Sequence, residues 1–153
     1  MKTASPFMIQ ALAEAEKAGL RGEVPVGAVL VDAAGAVLAA SGNRTEELND
    51  PTAHAEMLVI RRAAEKTGAP RLDDCDLYIS LEPCAMCAAA ISFARIRRLY
   101  FGAFDPKGGA VENGPRFFAA STCHHRPEIY GGMMEREAKA LLQTFFQQRR
   151  GVC

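Results

Sequence analysis

The chain has 153 residues, a length that predicts one domain with a core large enough to fold without disulfide staples. Its residues are 49% hydrophobic and 24% charged, and its 18 basic and 18 acidic residues cancel, which excludes a disordered chain and one coated in positive charge. No apolar stretch approaches the roughly 20 residues that cross a bilayer, and the first ten residues lack the apolar run of a signal peptide. The sequence therefore predicts a single cytoplasmic domain over residues 1–153 with no membrane contact.

Helices and strands alternate along the chain. The spacing of apolar residues predicts a helix over 5–18, a β-hairpin with strands over 26–31 and 37–40, and a helix over 54–66 that ends at Gly68. It then predicts a strand over 77–81, a helix that begins at Pro83, a strand over 98–102 and a helix over 133–148. This alternation is typical of an α/β fold whose sheet is covered by helices on both faces.

Three side chains of the types that bind zinc stand out: His54, Cys84 and Cys87. The two cysteines are three residues apart, so they share one face of a helix, in a first turn where the helix dipole favours thiolate. His54 begins a different predicted helix, so the three residues could hold a metal between two elements. No second CxxC motif and no nearby pair of histidines offers a fourth ligand, which favours an open catalytic zinc site with water as the fourth ligand. Each motif alone has an alternative: the cysteines could be a redox dithiol and His54 a surface residue.

Glu56 follows His54 by two residues. A carboxylate at the start of this helix could reach past a metal held by His54, take a proton from bound water and pass it to a substrate nitrogen. The alternative is an ordinary exposed glutamate on a helix surface. The sequence therefore indicates Glu56 as a candidate general acid and base.

The sequence His54-Ala-Glu56 followed by Pro83-Cys84-Ala-Met-Cys87 resembles the signature of the zinc-dependent cytidine and deoxycytidylate deaminase superfamily. Four further segments resemble the bacterial tRNA-specific adenosine deaminases within it, and the similarity extends over about residues 5–150. These segments are Glu23-Val-Pro-Val-Gly-Ala28, Pro51-Thr-Ala-His-Ala-Glu56, Leu81-Glu-Pro-Cys84 and Phe101-Gly-Ala-Phe-Asp-Pro-Lys-Gly-Gly109.

The resemblance implies a three-layer α/β/α cytidine-deaminase-like fold with a five-stranded mixed sheet. It also implies a homodimer with one Zn²⁺ per subunit, and hydrolytic conversion of adenosine to inosine at the wobble position of a tRNA anticodon stem-loop. By the same resemblance the zinc ligands are His54, Cys84 and Cys87, and Glu56 shuttles protons. The implied substrate contacts are Asn43, Val26, Ala55, Asp105, Lys107 and His124, the last at a position where many members carry asparagine.

The C-terminal helix suggests a further RNA contact from its own residues. Phe146 lies at the edge of the helix's apolar stripe, and Arg149 and Arg150 follow within one turn. An aromatic ring beside arginines can stack a base while the charges bind phosphates. Residues 94–150 hold ten basic and five acidic residues, which is also typical of a nucleic-acid surface. The alternative is that both phenylalanines of this helix belong to the core and the arginines are solvated.

Two other functions fit the same motifs. A deaminase of free guanine or cytosine would use the same zinc chemistry but would not need a basic RNA surface. A non-enzymatic zinc-binding or redox module would show a closed site with four protein ligands, or a reducible disulfide between Cys84 and Cys87. The remaining cysteines, Cys75, Cys123 and Cys153, have no assigned role.

Overall fold

A computed structural model describes residues 5–150 of the chain. Every helix and strand predicted from the sequence is present within a few residues, and Cys153 lies outside the described range. The elements, in chain order, are α1 (Pro6–Leu20), β1 (Gly27–Val31), β2 (Val37–Gly42), α2 (Ala55–Thr67), β3 (Asp76–Leu81), α3 (Ala85–Phe93), β4 (Arg98–Ala103), a 3₁₀ turn (Phe117–Ala119), β5 (Glu128–Tyr130) and α4 (Glu135–Arg150).

The five strands form one mixed sheet in the order β2-β1-β3-β4-β5. β1 pairs antiparallel with both β2 and β3, whereas β3, β4 and β5 run parallel to one another. The mixed five-stranded sheet implied by the family resemblance is thus confirmed. The fifth strand had no place in the sequence pattern because it is three residues long and only partly buried.

Helices cover both faces of the sheet and complete three layers. α1 and α4 pack on one face, and α2 and α3 lie on the other. Alternate residues of β1 supply the two cores: Ala28 and Leu30 join the larger cluster under α2 and α3, while Val29 and Val31 face α1. α1 packs directly on β1 because Gly27 has no side chain, and a Cβ there would overlap the carbonyl oxygen of Ala11. Among residues 5–150, no helix combines the length and apolar character needed to cross a membrane.

Two helices begin at the same edge of the sheet. β2 ends at Gly42 and β3 ends at Leu81; residues 43–54 then lead to the N-terminus of α2, and residues 82–84 lead to that of α3. Because β1 is antiparallel to both strands, its first residue, Gly27, lies at this edge too. The fold thus brings two helix N-termini together, and the first N–H groups of each helix have no partner within the helix.

Candidate active site

The three predicted zinc ligands meet at the N-termini of α2 and α3. His54 is the N-cap residue of α2, Cys84 is the N-cap residue of α3, and Cys87 lies in the first turn of α3. Their ligand atoms all lie within 4.8 Å of one another. His54 reaches this position through a tight turn in which Asp50 accepts hydrogen bonds from the backbone and hydroxyl of Thr52.

The distances among these atoms fit zinc. His54 Nδ1 lies 3.6 Å from Cys84 Sγ and 3.5 Å from Cys87 Sγ. A tetrahedral zinc ion with ordinary zinc–sulfur and zinc–nitrogen bond lengths separates its sulfur and nitrogen ligands by about 3.6 Å. Within residues 5–150 no fourth histidine, cysteine or carboxylate belongs to the group. The donor set therefore suits a zinc ion that keeps one coordination position for water.

The local electrostatics favour a negatively charged sulfur at this place. Hydrogen bonds with Cys87 and with His54 together lower the pKa of Cys84 to about 4, against the effect of burial. Cys84 in turn raises the pKa of Cys87, and its hydrogen bond to His54 raises the pKa of the imidazole. The pair thus holds at least one thiolate beside an imidazole, which is the form in which cysteine binds metals.

Glu56 lies in the first turn of α2, two residues beyond His54, and its side chain is buried, with 4% of the residue exposed. Burial raises its pKa to about 7, while its own backbone N–H group and His54 act in the opposite direction. A carboxyl group in this range can both accept and donate a proton near neutral pH. The prediction of an ordinary exposed helix glutamate is wrong for this position.

Asn43, Val26 and Ala55 are joined by hydrogen bonds beside His54. The Asn43 backbone N–H donates to the Val26 carbonyl at 3.0 Å, and its side-chain Oδ1 accepts from the Ala55 N–H at 2.8 Å. All three residues are buried. Asn43 thereby satisfies an unpaired N–H group at the start of α2, and none of residues 5–150 accepts a hydrogen bond from its Nδ2. The structure therefore brings three predicted substrate contacts to the metal-site edge.

Residues 1–103 match the family described as the cytidine and deoxycytidylate deaminase zinc-binding region. The tRNA-specific adenosine deaminase of Agrobacterium fabrum (strain C58) is 63% identical to this chain over 144 residues, which cover 94% of each protein. The tRNA-specific adenosine deaminase of Bacillus subtilis (strain 168) is 42% identical, over 94% of this chain and 89% of its own.

The chain belongs to the tRNA-specific adenosine deaminase family.

Solved structures agree with this assignment. One, from a study of A-to-I editing by tRNA:A34 deaminases at the wobble position of transfer RNA, is 65% identical, covers 89% of this chain and 98% of that one, and superposes with a TM-score of 0.87. A guanine deaminase from Bacillus subtilis is 29% identical, covers 99% and 96% of the two chains, and superposes with a TM-score of 0.65. The predicted family, three-layer fold, deaminase class and zinc cofactor are confirmed.

Two buried glutamates, Glu23 and Glu82, fix loops beside the candidate active site. The sequence analysis assigned neither of them a role. Glu23 is 1% exposed and accepts hydrogen bonds from the Glu46 and Glu47 backbones and from the Thr45 hydroxyl. Burial alone would raise the pKa of Glu23, but these donors outweigh it and hold the pKa below its usual value. Glu82 is 2% exposed and accepts from residues 105–113. The sequence signal was slight: each glutamate lies within two residues of a proline in an apolar segment.

Three of the predicted RNA contacts line one groove. Asp105, Lys107 and Phe146 border a cleft of about 620 Å³, although Phe146 lies some forty residues along the chain from the others. Lys107 is exposed, and Phe146 is 45% exposed. Asp105 accepts hydrogen bonds from the backbone N–H groups of Lys107 and Gly108, so its carboxylate shapes the turn that presents the lysine.

Arg149 lies outside this groove. Its guanidinium donates a hydrogen bond to the Gly22 carbonyl at 2.6 Å and covers the Phe145 ring at 4.4 Å from the ring centre. Arg149 is exposed, and these contacts fasten α4 to the turn after α1. The alternative in which both phenylalanines belong to the core is wrong for Phe146, which is 45% exposed. RNA binding by Arg149 stays a prediction, and the side chain of Arg150 lies outside the described part of the chain.

His124 lies on the loop before β5 with its side chain exposed. Its carbonyl accepts a hydrogen bond from Arg95 at 3.2 Å. The loop is anchored next to it, where His125 Nε2 lies 2.6 Å from the Ile96 carbonyl and the His125 N–H donates to Ser92. The imidazole of His124 is thus presented on a fixed loop and remains free for the predicted RNA contact.

Proposed function

We propose that residues 1–153 form one zinc-dependent deaminase domain that hydrolyses adenosine to inosine at the wobble position of a transfer RNA anticodon. The observation that carries this proposal is the triangle of His54, Cys84 and Cys87 with Glu56 and Asn43 beside it, in a chain 63% identical to a tRNA-specific adenosine deaminase. A transfer RNA substrate implies that the protein works in the cytoplasm, as the sequence predicts.

His54, Cys84 and Cys87 would hold the zinc ion. Bound zinc lowers the pKa of a coordinated water to about 7 and so supplies hydroxide at neutral pH. Glu56 accepts a proton from the attacking water and donates one to N1 of the adenine ring. It then takes the proton of the hydroxyl group added to C6 and carries it to the amino group on C6, which leaves as ammonia while the carbonyl of inosine forms. Because Glu56 is buried, these transfers take place away from competing solvent.

We infer that the flipped base is accepted beside the metal site. Val26 and Ala55 are small apolar residues there, and Asn43 carries an amide nitrogen on a side chain whose oxygen is already fixed by α2. A nucleotide in an anticodon loop reaches such a recessed site more easily than one in a duplex, because less pairing and stacking is lost. We assign Asp105, Lys107 and Phe146 to the nucleotides around the target, since an aromatic ring beside a cation stacks a base and holds its phosphate.

The free protein is proposed to be a homodimer in which α3 lies at the interface. This helix has no charged residue, and its one polar side chain, Ser92, is buried. Cys87, Ala88 and Ile91 face the core, whereas Phe93 on its outer side is 72% exposed. A helix without a polar face is normally buried, and α2 and the 3₁₀ turn pack against this one. The alternative is that Ala88, Ala89 and Ala90 simply face the sheet; Ala88 is buried, and Ala89 and Ala90 are half-buried.

Sedimentation tests the dimer. Phe93→Glu should convert the protein to a monomer, because it would place a charge in the proposed interface. Leu20→Glu is the matched control, since Leu20 is 84% exposed on α1, on the other face of the sheet. Equal sedimentation of wild type and Phe93→Glu would remove α3 from the interface.

The activity is tested by incubating the zinc-loaded protein with an anticodon stem-loop that carries a wobble adenosine and measuring inosine by nucleoside analysis. Glu56→Gln keeps the size of the side chain but cannot shuttle protons, so turnover should fall by about 10²–10⁴ with zinc content unchanged. Free guanine and cytosine are offered in parallel. Deamination of either free base with no inosine in the stem-loop would replace this proposal with the free-base alternative. A reducible disulfide and no turnover would favour a redox module.

A further inference from the structure

The carboxylate of Glu82 is the centre of the loop formed by residues 105–113, called here the 105–113 loop. Glu82 Oε2 accepts hydrogen bonds from three successive backbone N–H groups, those of Val111, Glu112 and Asn113, at 3.1, 2.9 and 3.0 Å. Glu82 Oε1 accepts from the Asp105 N–H at 3.0 Å and from Asn113 Nδ2 at 2.7 Å. Both ends of the loop are thus bound to one side chain.

This buried charge is held by amide donors alone. Glu82 is 2% exposed, and no lysine, arginine or histidine among the described residues forms an ion pair with it. A buried carboxylate is tolerated only when its oxygens are hydrogen-bonded, and here five donors from one loop meet that need. Loop and carboxylate are therefore mutually dependent, because the loop satisfies the charge and the charge fixes the loop.

The loop closes tightly around Glu82. A Cβ atom on Gly109 would lie 2.5 Å from Glu82 Cδ and 2.6 Å from the Asp105 carbonyl oxygen, so only glycine fits there. The next residue, Ala110, donates its backbone N–H to the Pro83 carbonyl at 2.9 Å. The loop therefore touches the Glu82-Pro83 segment with both side-chain and backbone contacts, immediately before the proposed zinc ligand Cys84.

We propose that Glu82 is a positioning residue for RNA binding: it fixes the 105–113 loop to the segment that carries Cys84, and so holds Lys107 at a set place relative to the metal site. This inference rests on the proposed function, because it assigns Lys107 to the RNA. Glu82 touches neither the base nor the metal in this role. It acts through the loop.

A double-mutant cycle separates positioning from general stability. Binding of a fluorescent anticodon stem-loop is titrated for Lys107→Ala, Glu82→Gln and the double variant, all in a Glu56→Gln background so that the RNA is not turned over. Glutamine replaces one carboxylate oxygen by an NH2 group, which is a donor and would face the N–H donors of the loop. The 105–113 loop therefore loses part of its anchor. We expect Glu82→Gln to weaken binding by roughly tenfold. Lys107→Ala should weaken binding several-fold when Glu82 is intact and change it little when Glu82 is replaced.

Glu23→Gln is the matched control. Glu23 is also a buried carboxylate held by backbone N–H groups, but it anchors residues 45–47 instead. Its combination with Lys107→Ala should be additive. Gly109→Ala tests the same positioning role in a second way, because it displaces the loop while residue 82 stays a glutamate. In this variant too, Lys107→Ala should change RNA binding little. Zinc content and thermal unfolding are measured for every variant.

Additive effects of Glu82→Gln and Lys107→Ala would overturn the positioning role, and so would a Lys107→Ala variant that binds as well as the parent chain. If Glu82→Gln does not fold, the cycle with Gly109→Ala decides the question in the same way. A parent chain that binds no stem-loop, and whose Glu56-intact form makes no inosine, would instead contradict the proposed function. The two failures are therefore distinguishable.

Discussion

Asn43 serves two partners at once, and two substitutions can separate them. Its Oδ1 accepts the Ala55 N–H at 2.8 Å and so satisfies the start of α2, while Nδ2, which has no acceptor among the described residues, is proposed to bind the substrate. Asn43→Ala removes both groups. Asn43→Asp keeps an oxygen for the Ala55 N–H, with a negative charge that the helix N-terminus favours, but it removes the amide donor. The two variants should therefore differ in stability and agree in lost activity.

The expected magnitudes follow from these contacts. Losing a side-chain acceptor at a helix N-terminus costs about 1 kcal/mol, so Asn43→Ala should lower the midpoint of thermal unfolding by roughly 2–4 °C for a domain of this size. Asn43→Asp should unfold closer to the wild-type temperature. One hydrogen bond to the substrate contributes about 1 kcal/mol, so both variants should lose about five- to tenfold in kcat/KM on the stem-loop.

The assay pairs differential scanning calorimetry of the zinc-loaded proteins with inosine formation under subsaturating stem-loop. Zinc content is measured on the same samples, because a lost metal would mimic a lost contact. Wild-type kcat/KM in Asn43→Asp would show that Nδ2 does not bind the substrate. An Asn43→Ala variant that unfolds at the wild-type temperature would show that the Oδ1 contact does not stabilise α2.

Four further outcomes are expected. Metal analysis should find one zinc per chain and none in Cys84→Ala. Removal of zinc by a chelator should lower the midpoint of thermal unfolding and stop inosine formation. An absorption spectrum that shows four protein ligands would contradict the open site. Arg149→Ala should lower the unfolding midpoint by calorimetry, because its contacts to Gly22 and Phe145 fasten α4, and an unchanged midpoint would disprove that role. Phe146→Ala should weaken stem-loop binding in a titration without changing zinc content, whereas equal affinity would place the RNA elsewhere. Folding lowers the pKa of Glu23, so its stabilising effect is present above its unfolded pKa of about 4.3 and is lost as the pH falls through the folded value. When the free energy of unfolding is measured against pH, Glu23→Gln should therefore lose less stability at acid pH than the wild type. Parallel curves for the two proteins would refute this.

Local signals in the sequence were enough to predict most of the fold and the centre of the site. Gly68 ends α2 in the left-handed conformation that glycine favours, and helix-start patterns marked both N-cap positions that carry proposed metal ligands. The anchoring glutamates had no such signal, because the partners of Glu23 lie 22–24 residues away and those of Glu82 lie 23–31 residues away. Likewise, nothing local indicates that Phe146 shares a groove with Lys107.

The metal site specifies the reaction class, and the surrounding loops must specify the substrate. A guanine deaminase has this fold at 29% identity, so a deaminase sheet with helices on both faces does not by itself choose a tRNA. Around the metal site of this chain, two segments are fixed by buried carboxylates: residues 45–47 by Glu23 and the 105–113 loop by Glu82. A buried carboxylate that is held by hydrogen-bond donors of a loop resists movement of that loop, because any opening leaves a charge in a poorly solvated place. The surface that we assign to RNA is therefore preorganised, and binding there need not order the loop that carries Lys107.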